Sequence, residues 1–128
     1  TYSVTEHWQT GAQTRACPAL VEAMPGDMIE LSPALAKEKG IQTGDDVRVW
    51  NRRASVVVTA VVTPRIRPLT VNGKTQHLVG MTHHYSWSRL FGLPTHGAVN
   101  DLTPNVGDPN SQTPEYKAFL VNIEKTTV

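Results

Sequence analysis

The stretch Ser55-Val56-Val57-Val58-Thr59-Ala60-Val61-Val62-Thr63 constrains the fold more than any other part of the chain. Branching at Cβ restricts χ1 and suits the pleated backbone, so this run predicts a strand. Valines fall on both alternating faces, so neither face suits water, and the strand is expected inside a closed or sandwiched sheet. At 128 residues the chain fits a single domain with a core of its own.

The rest of the chain supplies short, well-punctuated elements. Pro18 can open a helix running to Ala23, which Pro25-Gly26-Asp27 then ends. Met28-Ile29-Glu30-Leu31 reads as a strand. Ser32 as N-cap, Pro33 at the first helical position, Lys37 and Lys39 near the carboxyl end and Gly40 as the stop define a two-turn helix. After a turn over residues 41–45, Val47 and Val49 alternate with Arg48 and Trp50, as in a half-exposed strand. Asn72-Gly73, set between residues 69–71 and 76–79, predicts a tight hairpin, and residues 117–123 a last strand. Over residues 92–114, ten of twenty-three positions are Gly, Pro or Asn. A loop of that length is commonly functional, although Asp108-Pro109-Asn110 is a turn by its own chemistry.

Charge and cysteine content narrow the functional classes. A formal net charge of +1 gives no electrostatic reason for a nucleic-acid partner, and the pairs Arg52-Arg53 and Arg65/Arg67 read as solvated turns. No apolar run approaches the roughly 20 residues needed to span a bilayer. The chain opens at Thr1 with no basic or apolar leader, so it is expected to be a piece of a larger protein, with periplasm and cytoplasm both open as its compartment. Cys17 cannot close an intrachain disulfide, and no zinc or iron–sulfur spacing surrounds it. Beside Pro18 it reads as a small buried hydrophobe. His77 and His96 read as structural or solvated, because no Glu or second His stands beside them at helical metal-binding spacing.

Chemistry concentrates near the amino end. Thr5-Glu6-His7-Trp8-Gln9-Thr10-Gly11, followed by Thr14 and Arg15, gathers hydroxyls, an imidazole, an indole N–H and a guanidinium around one glycine. Hydroxyl and guanidinium groups donate to phosphate oxygens or heterocycle edges, and glycine lets backbone approach closely. Taken alone, the block also fits an ordinary polar surface loop.

Together with three downstream stretches, the chain resembles the molybdopterin-dinucleotide-binding domain of molybdenum and tungsten oxidoreductases of the dimethyl-sulfoxide-reductase superfamily, and within it the formate dehydrogenases. The resemblance rests on the opening block; on Leu31-Ser32-Pro33 with Ala36, Gly40-Ile41, Gly44-Asp45 and Val47; on Gly73-Lys74-Thr75 with His77, Gly80 and His84-Tyr85; and on Asn100-Asp101-Leu102-Thr103-Pro104 with Asp108-Pro109-Asn110, Pro114-Glu115 and Lys117. Thr82-His83 departs from the apolar or aromatic pair expected before His84, and Ser86 stands where glycine is common. His83 reads as a solvated loop histidine.

The resemblance implies a mainly β fold, a six-stranded double-psi β-barrel with a few short helices, occupying residues 1–128 as one domain of a larger catalytic subunit. It implies one wall of a site for a bis-molybdopterin guanine dinucleotide cofactor carrying Mo or W. His7, Trp8, Thr10, Gly11, Thr14 and Arg15 would lie against pterin and phosphate, and His84, Asn100, Asn110 and Lys117 near the pterin systems. The metal's amino-acid ligand and any iron–sulfur cluster would belong to domains outside this chain, with an iron–sulfur electron-transfer subunit as a partner. The isolated chain is expected to be inactive. Two other readings stay open: a double-psi barrel acting as a protein-binding module, and the same domain of a nitrate- or arsenate-reductase-type enzyme.

Overall fold

The computed structural model describes residues 1–85 and 98–126. The fold is mainly β with a few short helices: α1 (Pro18–Ala23), β1 (Met28–Leu31), α2 (Pro33–Lys39), β2 (Asp46–Trp50), β3 (Ser55–Val62), β4 (Leu69–Val71), β5 (Lys74–Gln76), β6 (Val79–Met81) and β7 (Asn122–Lys125). Three-residue and four-residue 3-10 turns occupy Thr14–Ala16 and Val99–Leu102.

The strand predicted from the valine run is the sheet's centre. β3 pairs in parallel with β1 (Met28 opposite Thr59) and antiparallel with β2 (Val47 opposite Val58), giving a five-stranded order β6-β1-β3-β2-β7. Val56, Val58 and Ala60 are buried, while Val57, Thr59 and Val61 on the other face are half-buried, so both faces are covered to some degree. The core gathers Ile29, Leu31, Val47, Val49 and Val58 around that strand, with Leu35 and Ala36 of α2 and Ile123 of β7 against them. Each fully buried aliphatic chain contributes about 1.5–3 kcal/mol.

Helix α2 forms as its caps dictate. Ser32 Oγ accepts the Leu35 N–H (3.2 Å), and Gly40 ends the helix in the left-handed region at φ 65°. Between β2 and β3 the side chain of Asn51 makes the turn, its Oδ1 accepting from the Arg53 N–H at 2.8 Å. Asn72 and Gly73 take φ 51° and 72°, the two positive values that a two-residue hairpin turn requires, and join β4 to β5 as a separate exposed sheet.

Three expectations are adjusted. The strand after Asn72-Gly73 starts at Lys74, because the two-residue loop leaves no slack, and it ends at Gln76 before β6 begins at Val79. The last strand covers Asn122–Lys125 instead of 117–123: its partner β2 ends at Trp50 opposite Asn122, and Asn51 then turns away, so residues before 122 have no ladder to join. Cys17 is exposed at the N-cap of α1, where a helix start lifts it off the core. Of the six barrel strands expected, five are joined in one ladder among the described residues.

The amino terminus is laid against this sheet. Tyr2 bridges Thr82 in parallel, its N–H donates to the Met81 carbonyl (3.0 Å), and its ring lies so close over Gly80 that a Cβ there would stand 2.8 Å from Tyr2 Cε1. Tyr2 is held in turn by Arg65, over whose side lies its ring, and Arg65 forms an ion pair with the buried Glu30 of β1. Burial and Glu30 raise the Tyr2 phenol well above its ordinary range. The next residues therefore leave the end of β6 at a fixed point.

Candidate functional site

Residues 5–15 fold around two buried imidazoles. The Trp8 N–H donates to Thr14 Oγ1 (3.1 Å), and with His7 Nε2 as the ring's donor the Thr14 hydroxyl donates to His7 Nδ1 (3.1 Å). His7 Nε2–H then donates to the Met24 carbonyl (2.8 Å), which also accepts from the Tyr85 hydroxyl at 3.1 Å. Thr14 thus closes the loop onto α1's carboxyl end through His7, which is only 4% exposed.

His84 is the second post and is fully buried. Its Nε2 accepts the Val4 N–H at 2.9 Å, and its Nδ1–H donates to the Gln9 carbonyl. Because Nε2 must carry a lone pair for this, the ring is neutral and its tautomer is fixed. Burial lowers its pKa, with the Gln9 carbonyl opposing and His83 and His7 adding to the effect. His7 and His84 stand 5.9 Å apart between ring centroids, and His7 meets Tyr85 edge-on at 5.7 Å.

Gly11 lies where this packing is tightest. A Cβ there would sit 2.4 Å from the His84 carbonyl oxygen, and φ is +80°, so both space and backbone require glycine. Its N–H donates to the Trp8 carbonyl (2.8 Å), and its own carbonyl accepts from the Arg15 N–H (2.9 Å). The Arg15 guanidinium lies 4.6 Å from the centre of the Tyr85 ring. Burial lowers its pKa, opposed by Tyr85 and the buried Asp27, and burial also pushes the Tyr85 phenol up to about 12.

Beside these posts is an open concavity of about 440 Å³, lined by Ser3, Val4, Thr5, His7, Trp8, Gln9 and His83. Trp8 is 65% exposed and Thr10 is exposed, so an indole and a hydroxyl are presented outward while the side chains of His7, Thr14 and His84 are hydrogen-bonded inside. Hydroxyl, indole and cationic donors around a glycine that lacks room for a side chain are a donor set suited to a phosphorylated heterocycle.

The predicted site residues therefore divide. His7, Trp8, Gly11, Thr14, Arg15 and His84 are joined by direct contacts, with Thr10 between Gln9 and Gly11. Asn100 lies in the 3-10 turn Val99–Leu102, its carbonyl accepting from the Thr103 hydroxyl (2.8 Å), beside the Asn51 side chain that binds the Leu102 carbonyl. Asn110 belongs to a turn built on Asp108, whose Oδ1 accepts the Asn110 and Ser111 N–H groups (3.0 and 2.8 Å). Lys117 lines a larger apolar concavity of about 1090 Å³ along β6 and β7, and its carbonyl accepts from the Thr1 ammonium at 3.0 Å. None of these three touches the 5–15 cluster among the described contacts. His96 and Ser86 lie outside the described residues. His77 is exposed, 3.5 Å from Glu38. Among the described residues no group of three His, Cys, Asp or Glu side chains could hold a metal ion.

Reading the sequence missed Tyr85 and the Met24 carbonyl as parts of the network, and treated His83 as solvated. No local signal marks them, since they meet His7 and Tyr2 only across long stretches of chain.

Comparison with known proteins decides the family. The model of the molydopterin dinucleotide binding domain matches residues 1–120. The chain belongs to that family. It is 47% identical over 127 residues to the formate dehydrogenase subunit alpha of Megalodesulfovibrio gigas, and 51% identical over 126 residues to the formate dehydrogenase 2 subunit alpha (cytochrome c-553) of Nitratidesulfovibrio vulgaris. The nitrate-inducible formate dehydrogenase major subunit of Escherichia coli is 48% identical over 126 residues. Each alignment covers 98% of this chain and 12% of the relative, so this family member spans about an eighth of the length of those proteins. No helix among the described residues is long and apolar enough to cross a membrane.

Proposed function

We propose that this molydopterin dinucleotide binding domain, residues 1–128, forms one wall of the site for a bis-molybdopterin guanine dinucleotide cofactor with Mo or W. The enzyme would be a larger catalytic subunit that oxidises formate to carbon dioxide with release of two electrons and a proton. The observation that carries this reading is the cluster built on Thr14, His7, Gly11 and His84, which shapes residues 5–15 around a concavity while Trp8 and Thr10 face outward. The relatives' names and the share of their length that this chain covers support placing the domain within such a subunit. Its partners would be the subunit's remaining domains and an iron–sulfur electron-transfer subunit. The parallel pairing of β1 with β3 inside a largely antiparallel sheet is compatible with a six-stranded double-psi barrel.

The chain's own residues act by binding and orientation. Arg15 offers charge and N–H donors to a phosphate and Thr10 a hydroxyl, while the Thr14 hydroxyl, taken up by His7 and Trp8, holds the loop in shape. Trp8 offers an exposed ring against which a heterocycle can stack, with its indole N–H as a donor. His7 and His84 hold the loop's shape, since their ring nitrogens are taken up by protein groups. Asn100 and Asn110, both exposed, and Lys117 would meet the pterin systems from the later loop and the carboxyl-terminal segment. When bound, the cofactor supplies the two-electron redox chemistry at its metal.

Arg15→Ala and Thr10→Val in the full-length subunit test the assignment. Loss of a charge-assisted contact costs about 1.5–3 kcal/mol, so Arg15→Ala should weaken cofactor retention by roughly 10- to 100-fold, and Thr10→Val by less. Metal and guanine-nucleotide content equal to wild type in both variants, after extended dialysis, would contradict the role.

A further inference from the structure

We propose that His83 contacts the bound ligand directly, accepting at Nε2 a hydrogen bond from an N–H-bearing heterocycle edge. This rests on the reading that the 440 Å³ concavity holds part of a molybdopterin dinucleotide. His83 lines that concavity together with His7, Trp8 and Gln9 and is only partly exposed. Its ring is oriented from two sides. Nδ1 lies 3.1 Å from the Tyr2 carbonyl, an acceptor only, so Nδ1 carries the proton and donates. The ring also lies against His84 at 4.5 Å between centroids with a 32° tilt, and His84 is itself pinned by Val4 and Gln9.

With Nδ1 committed as donor, the tautomer so fixed presents Nε2 as a lone pair, and among the described residues no hydrogen bond takes it up. A lone pair faces phosphate oxygens unfavourably, since both are acceptors, whereas the N–H groups of a pterin or guanine ring complement it. The site is thereby polarised: hydroxyl and guanidinium donors at Thr10 and Arg15 suit phosphate, and an acceptor at His83 suits a ring edge. That fixes which end of the ligand meets which end of the loop.

Two substitutions separate this role from a purely structural one. An Asn amide falls near the position of Nδ1 and can keep the tie to Tyr2 while removing the Nε2 acceptor; a Gln amide reaches the position of Nε2 and gives up the Tyr2 tie. In the full-length subunit, the rate of cofactor loss on dilution, followed by pterin fluorescence, should rise about fivefold in His83→Asn and stay within about twofold of wild type in His83→Gln, as expected for one neutral hydrogen bond. The opposite order, or no change in either variant, would overturn the proposal. If Arg15→Ala speeds loss and His83→Asn does not, the failure belongs to His83 alone; if neither does, it belongs to the cofactor assignment. Thermal stabilisation of the cofactor-free subunit by guanosine monophosphate or by a free pterin identifies the ring involved. His83→Asn should reduce the response to one of the two, and an unchanged response to both would also count against the proposal.

Discussion

Two histidines next to each other in sequence do different work because the backbone assigns their protons differently. His84 accepts at Nε2 from Val4 and donates at Nδ1 to Gln9, so an imidazolium would set a second N–H against the Val4 N–H. Burial lowers its pKa from 6.5, so the unfolded chain takes up this proton at a higher pH than the native chain does. The contribution of His84 to stability is therefore complete above about pH 6.5 and is lost as pH falls through the lower native value. The unfolding midpoint of the full-length protein should fall more steeply between about pH 7.5 and about pH 5.5 in wild type than in His84→Gln. Parallel curves would show that His84 does not carry this dependence. Much at this scale was readable: His7, Gly11, Thr14 and Arg15 stand in one short block, and the positive φ of Gly11 is what glycine supplies. The partnership of His84 with Val4 and Gln9 was not, because it joins residues 75 or more positions apart.

Local punctuation made helix α2 and the Asn72-Gly73 turn legible to the residue, although not the strand that follows the turn. Helix α2 begins and ends where Ser32 and Gly40 place it, and the Asn72-Gly73 turn has the backbone its two residues favour. The Ser32 bond to the Leu35 N–H is buried, so Ser32→Ala should cost about 1 kcal/mol, read as a lower denaturant midpoint with an unchanged slope. A loss below about 0.3 kcal/mol would mean that water or another group replaces the cap. The last strand was misplaced for the complementary reason. Apolar alternation over residues 117–123 says that strand geometry suits the segment, but a ladder exists only where β2 runs beside it, from Val47 to Trp50.

At the scale of the whole molecule, β3 joins the two halves of the sheet: it hydrogen-bonds to β1 on one side and to β2 on the other, and Val58 is fully buried between them. Val58→Ala should lower global stability by about 2–3 kcal/mol, as a single cooperative shift of the unfolding curve, whereas removal of a half-exposed valine such as Val57 should cost less. Equal losses at the two positions would contradict a core centred on that face. The sequence by itself determined the central strand, the capped helix, the tight hairpin and the donor-rich loop, since each follows from torsional preference, capping or side-chain chemistry within a few residues. Only the tertiary structure decided that Tyr2 lies along β6, that His84 pins the loop from the far end of the chain, and that His83 faces the concavity beside Trp8. Those contacts are selected by burial and by pairing of backbone groups left over from the sheet, and such complementarity exists only once distant segments share a surface.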